Sequence, residues 1–114
     1  NKVSAQNGQE KVLASVVIKA DGKTYRVNEA DILYIEGMGD YITVYTPSLK
    51  LTFNQSLKAF HKSLQSVDFV RVHKSYVVSL PHIDFVEGNQ IQLGEKSIPI
   101  GNVYKEKFQE HFGQ

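Results

Sequence analysis

Leu13-Ala-Ser-Val-Val-Ile-Lys-Ala20, then Asp21-Gly22, then Lys23-Thr-Tyr-Arg-Val27: two runs of strand-forming residues meet at a two-residue break. Asp and Gly tolerate the positive φ that a type I′ turn demands, so this stretch predicts a β-hairpin. The same grammar continues outward. Asn28 to Asp31 is a polar break long enough for one helical turn, and Ile32 to Glu36 reads as a buried strand. Gly37-Met38-Gly39-Asp40 breaks that strand. Tyr41 to Thr46 resumes with alternation, placing Ile42 and Val44 on one face and Tyr41, Thr43 and Tyr45 on the other. Pro47-Ser48 turns the chain into Lys50 to Phe53.

Helical spacing first arises in Ser56 to Leu64, where Leu57, Phe60 and Leu64 fall on one face. Ser56 is suited to cap it, with Lys58, His61 and Lys62 pointing outward. Phe69 to Val78 mixes strand-like and polar residues, and Pro81 rules out a central strand after it. A second hairpin is expected around Gly88-Asn89, between Ile83–Glu87 and Gln90–Leu93. Pro99 marks Lys96 to Ile100 as an edge, and Asn102 to Phe112 closes with a short amphipathic helix carrying Phe108 and Phe112. The fold predicted is mostly β: about ten short antiparallel strands in small packed sheets of sandwich or barrel kind, with one or two short helices.

The 114 residues fit one domain, and twelve Tyr and Phe side chains supply a core. Asn1 to Lys11 is polar, so 1–12 reads as a linker and 13–114 as the domain. The chain opens on Asn1, which reads as a piece with an upstream portion absent. With no cysteine, disulfides, thiolate metal sites and Cys nucleophiles are excluded. No apolar run reaches the roughly 18–20 residues that span a bilayer, and no signal peptide is visible, so no membrane partner and a cytoplasmic setting are expected.

Enzymatic signatures are missing. Gly37-x-Gly39 lies between strands and lacks the helix that a phosphate-cradling loop requires. The four histidines, 61, 73, 82 and 111, form no H-x-x-x-H pair, so no metal, catalytic residue or cofactor is expected. Charge is more informative. Net charge is only +1, yet Lys50, Lys58, Lys62, Arg71 and Lys74 face a single acid, Asp68, between residues 50 and 82. Such a stretch is either a solvated basic face or a footprint for nucleic acid.

Three stretches decide between these. Asp31-Ile-Leu-Tyr-Ile-Glu36 with Gly37-Met-Gly-Asp-Tyr41 resembles the strand, small-residue break and turn of LytTR-type DNA-binding domains. Phe69-Val-Arg-Val-His-Lys-Ser-Tyr-Val-Val78 resembles that family's F-x-R-x-H-[RK]-S-[YF]-[IVL]-V run. Ile98-Pro-Ile-Gly-Asn-Val-Tyr-Lys105 is similar to its I-P-[IVL]-[SG]-R-x-Y-[KR] close, and the register matches from Val16 to Phe112. The resemblance implies small antiparallel sheets whose loops, with no recognition helix, enter successive major grooves of double-stranded DNA. It further implies the output domain of a two-component response regulator. A receiver domain would lie in cis, a sensor histidine kinase would act upstream through phosphorelay, and a homodimer would form on DNA.

The site residues so implied are Met38, Gly39, Asp40 and Tyr41; Arg71, His73, Lys74 and Ser75; and Asn102, Tyr104 and Lys105. Lys74 suits a phosphate or guanine O6/N7, and Ser75 a phosphate or base edge. Arg71 and His73 are open between DNA contact and a backbone hydrogen bond beneath the loop, with Val72 and Tyr76 stiffening it. Asp40 either caps its turn or accepts from cytosine N4, and Tyr41 is open between surface and core. Asn102 stands where the family often has Arg, and Asn suits adenine N6/N7. The competing reading is a β-rich protein-interaction or ligand-binding module using the edge Lys96–Ile100. DNA binding requires Lys50, Lys58, Lys62, Arg71 and Lys74 to gather on one surface.

Overall fold

The computed structural model describes residues 14–113. The expected linker 1–12, Leu13 and Gln114 lie outside the described residues. The opening hairpin pairs β1 (Ser15–Ala20) with β2 (Lys23–Asn28). Its turn has φ of 56° at Asp21 and 73° at Gly22, the positive values a type I′ turn needs. A single 3-10 turn, Glu29–Asp31, follows.

The centre is a five-stranded antiparallel sheet. Its strands are β3 (Tyr34–Met38), β4 (Tyr41–Tyr45), β5 (Lys50–Asn54), β6 (Phe69–His73) and β7 (Tyr76–Ser79), in the order β5-β4-β3-β7-β6. That order is open, with β5 and β6 at the edges, so the sheet does not close into a barrel. β3 begins two residues later than expected and runs through Gly37 and Met38, which pair with Ile42 and Tyr41. Only Gly39-Asp40 is left as the turn.

Helix α1 (Leu57–Ser63) is capped by Ser56, whose hydroxyl accepts from Ala59 N at 3.0 Å. Lys58 and Lys62 point outward as expected, but His61 does not: its Nε2 lies 3.0 Å from the Phe69 carbonyl. The chain then folds a three-stranded sheet from β8 (Phe85–Glu87), β9 (Gln90–Leu93) and β10 (Lys96–Pro99), with β9 central. A 3-10 turn, Asn102–Tyr104, leads into α2 (Lys105–Phe112), where Phe108 and Phe112 stack at 5.3 Å. Among the described residues this makes ten strands and two α-helices.

Strand alternation gives the central sheet two apolar faces. Ile35, Ile42, Val44 and Val77 join Ile18, Val27, Leu57 and Phe60 in a core beneath the opening hairpin and α1. Tyr34, Val70 and Val78 join Ile91, Ile98 and Phe108 in a second core beneath the three-stranded sheet and α2. Both faces are covered, which clamps the strands and the turns that end them.

Candidate nucleic-acid interface

β3, β5 and β6 run towards the same end of the central sheet, so the β3–β4 and β6–β7 turns emerge side by side. In the first turn, φ is 61° at Gly39, the first central position, so glycine is favoured there. Met38 and Tyr41 flank it as cross-strand partners. Both are exposed, which places Tyr41 at the surface and not in the core. Asp40 is also exposed, and among the described residues no turn hydrogen bond reaches its carboxylate.

The second turn is built from its own side chains. Arg71 Nε donates to the His73 carbonyl at 3.2 Å, and its Nη2 donates to the Lys74 carbonyl. The Ser75 amide donates to His73 Nδ1 at 3.0 Å, which puts the ring proton on Nε2. Arg71 and His73 therefore hold the turn from below, while Lys74 stands exposed at its tip. Val72 is fully buried and Tyr76 half-buried, anchoring both sides.

Two backbone hydrogen bonds tie the loops into a row. Gly37 N donates to Ser75 O at 2.8 Å, joining first to second. Gly101 N donates to Val72 O at 2.8 Å, joining third to second. Gly101 sits so close to its neighbours that an added Cβ would lie 3.1 Å from the Tyr104 ring and 3.7 Å from His73 Cα. Tyr104 turns inward, its ring 5.9 Å from the Arg71 guanidinium, while Asn102 and Lys105 remain exposed. The three candidate segments thus lie side by side at one end of the central sheet, with Arg71 and Tyr104 set beneath the exposed residues.

Beneath the row, Glu36 accepts from two phenols: Tyr45 OH at 3.1 Å and Tyr76 OH at 3.1 Å. Tyr34 stacks on Tyr45 with ring centroids 4.3 Å apart. Burial, reinforced by Tyr45 and Glu36, pushes the Tyr34 phenol up; burial and then Glu36 do the same to Tyr45. Both stay protonated well above neutrality.

The basic residues only partly gather. Lys58 lies in the first turn of α1, whose Leu57 packs beside Gly37, so Lys58 lies at the loop end with Arg71 and Lys74. Lys50 belongs to the far end of β5, opposite Tyr45, with Nζ 5.7 Å from that ring. Lys62 lies one helical turn beyond Lys58. In compensation, Lys96 Nζ reaches 5.5 Å from the Tyr76 ring, and Lys105 follows the third loop. Lys96 carried no motif signal, because only the packing of the three-stranded sheet brings it here.

The edge-binding alternative loses its apolar anchors, since Ile98 and Ile100 are buried in the second core. All four histidines engage backbone groups through their rings. Among the described residues no group of three metal-ligating side chains occurs, and no helix is long and apolar enough to cross a membrane.

Comparison with known proteins agrees with this geometry. Residues 22–113 match the model of the LytTr DNA-binding domain family. The transcriptional regulatory protein LytR of Staphylococcus aureus strain N315 is 26% identical over 73 residues, spanning 64% of this chain and 30% of that protein. The heme-containing CO-sensing transcriptional regulator RcoM 2 of Paraburkholderia xenovorans is 30% identical over 70 residues, spanning 61% of this chain and 26% of that protein. The chain thus spans under a third of these relatives. Its fold matches the LytTr DNA-binding domain of a Bacillus cereus protein described as a methyl-accepting/DNA response regulator. The TM-score is 0.78 at 21% identity, over 89% of this chain and 98% of that one.

Proposed function

The chain belongs to the LytTr DNA-binding domain family, and from that premise we propose that it binds duplex DNA sequence-specifically through its three loops. The observation that carries this reading is the row itself: Met38–Tyr41, His73–Ser75 and Asn102–Lys105 tied edge to edge by the Gly37–Ser75 and Gly101–Val72 bonds. Loops fixed in one row meet the major groove as a preformed surface, so little ordering entropy opposes docking. Lys58, Lys74, Lys96 and Lys105 supply phosphate contacts. Ser75, Asp40, Tyr41 and Asn102 address base edges or sugar-phosphate oxygens. Arg71 and Tyr104 act mainly by holding the second and third loops, and Arg71 keeps its Nη1 donors for a phosphate. His73 offers Nε2–H.

The domain acts as a binding module and not a catalyst. In the full-length protein it serves as the cytoplasmic output domain of a transcriptional response regulator. It follows a receiver domain phosphorylated through an upstream sensor histidine kinase, and it pairs as a homodimer on repeated half-sites. Selection of bound sequences from a random duplex pool, followed by mobility-shift titration at two salt concentrations, tests the core of this. An enriched sequence whose affinity falls steeply with salt is expected. Absence of both enrichment and salt slope would refute it.

A further inference from the structure

The three loops differ in chemistry. The middle one ends in Lys74 and Ser75, whereas each outer loop carries a large apolar side chain into solvent: Met38 is 68% exposed and Val103 86%. Single apolar side chains dot any protein surface and need no explanation. These two are placed differently. They stand at the two ends of the loop row, beside Tyr41 and Asn102, on backbone held by the Gly37–Ser75 and Gly101–Val72 bonds. The apolar group that a base presents in the major groove is the C5-methyl of thymine.

We propose that Met38 and Val103 read thymine methyl groups, so that the two outer loops select A·T pairs while the middle loop anchors phosphate. This rests on the DNA-binding reading above and specifies its target. The third loop is matched twice over: the Asn102 amide suits adenine N6/N7, and the adjacent Val103 suits a neighbouring thymine. The two readers differ in strictness. Val103 is β-branched with few side-chain conformers to lose on docking, and it sits two residues from the anchored Gly101. Met38 is unbranched and flexible, and it adapts to small changes in the position of its methyl partner.

Deoxyuridine differs from thymidine by that methyl alone, which makes the test direct. A selected duplex is resynthesised with deoxyuridine at one thymine at a time and titrated against the wild-type chain, Val103→Ala and Met38→Ala. Both side chains are exposed, so the alanine variants keep the fold, and an unchanged thermal midpoint verifies this. The wild type is expected to bind about fourfold more weakly at each of two substituted positions, the worth of one buried methylene. Val103→Ala loses that discrimination at one position and Met38→Ala at the other. If the wild type rejects scrambled DNA yet ignores every deoxyuridine, the inference is wrong and the DNA-binding reading stands. Sensitivity that survives in both variants also overturns it, because another residue then reads the methyl. A selection that enriches nothing overturns both.

Discussion

Arg71 illustrates how a motif residue divides its work. Its guanidinium donates to two successive carbonyls of the second turn and lies over the Tyr104 ring of the third. A lysine cannot reproduce that planar fork, since its ammonium is a compact point charge. Arg71→Lys therefore keeps the charge but loosens the turn: affinity for a selected duplex falls about tenfold, while the salt slope is nearly unchanged. Lys74→Ala is expected to behave oppositely, weakening selected and scrambled duplexes alike and reducing the salt slope by about 1. Paired titrations at several salt concentrations separate the two, and identical behaviour would show that Arg71 is only another phosphate contact. At Asn102 the question is base reading. Asn102→Ala is expected to cost about 1–3 kcal/mol on a selected site and little on a scrambled one. Equal losses on both would remove Asn102 from the readout.

At the scale of elements, legibility followed sequence distance. The Asp21-Gly22 and Gly88-Asn89 hairpins, the Ser56 cap and the Phe108–Phe112 pair were readable because each is decided within a few residues. The docking of the opening hairpin was not. Glu29 is 3% exposed, and its carboxylate accepts the amides of Gln65 at 2.8 Å and Ser66 at 2.9 Å, across more than thirty residues of chain. No local pattern announces a carboxylate that pairs with backbone so far away. Removing the carboxylate therefore breaks two charge-assisted hydrogen bonds that tie the 3-10 turn to the segment after α1. Glu29→Ala is expected to lower stability by roughly 3 kcal/mol at neutral pH, read as a shifted denaturant midpoint with unchanged m. A change below about 0.5 kcal/mol would mean that water replaces the carboxylate.

For the molecule as a whole, the charge tally of the sequence was the least faithful guide. Lys50 and Lys62 share a basic stretch with Lys74 yet leave its surface, while Lys96 and Lys105 join it from later in the chain. Antiparallel folding alternates ends, so neighbours in sequence separate and distant residues meet. The same folding concentrates Tyr34, Tyr45 and Tyr76 around Glu36. Tyr34 and Tyr45 hold their protons more tightly when folded than at the ordinary value near 10. Their contribution is therefore complete below about pH 10 and is lost as pH rises through the folded values. Alkaline titration followed by phenolate absorbance should show a late-ionising fraction, with unfolding accompanying it. Tyr45→Phe removes the hydroxyl bonded to Glu36 and should shrink that fraction. If all phenols titrate together near 10, the cluster is not buried in solution.

The row of loops is also a ruler. The first two turns stand on strand pairs whose centres are two strand spacings apart, about 10 Å, and the sheet between them is packed on both faces. Stacked base pairs advance by about 3.4 Å, so this gap corresponds to about three steps of the duplex. Neither the sheet nor the stack can stretch by one unit. If the loops read DNA as proposed, spacing becomes part of the address quite apart from base identity: one base pair inserted between the positions met by the first and second loops leaves every contact available but keeps the first loop from engaging together with the other two.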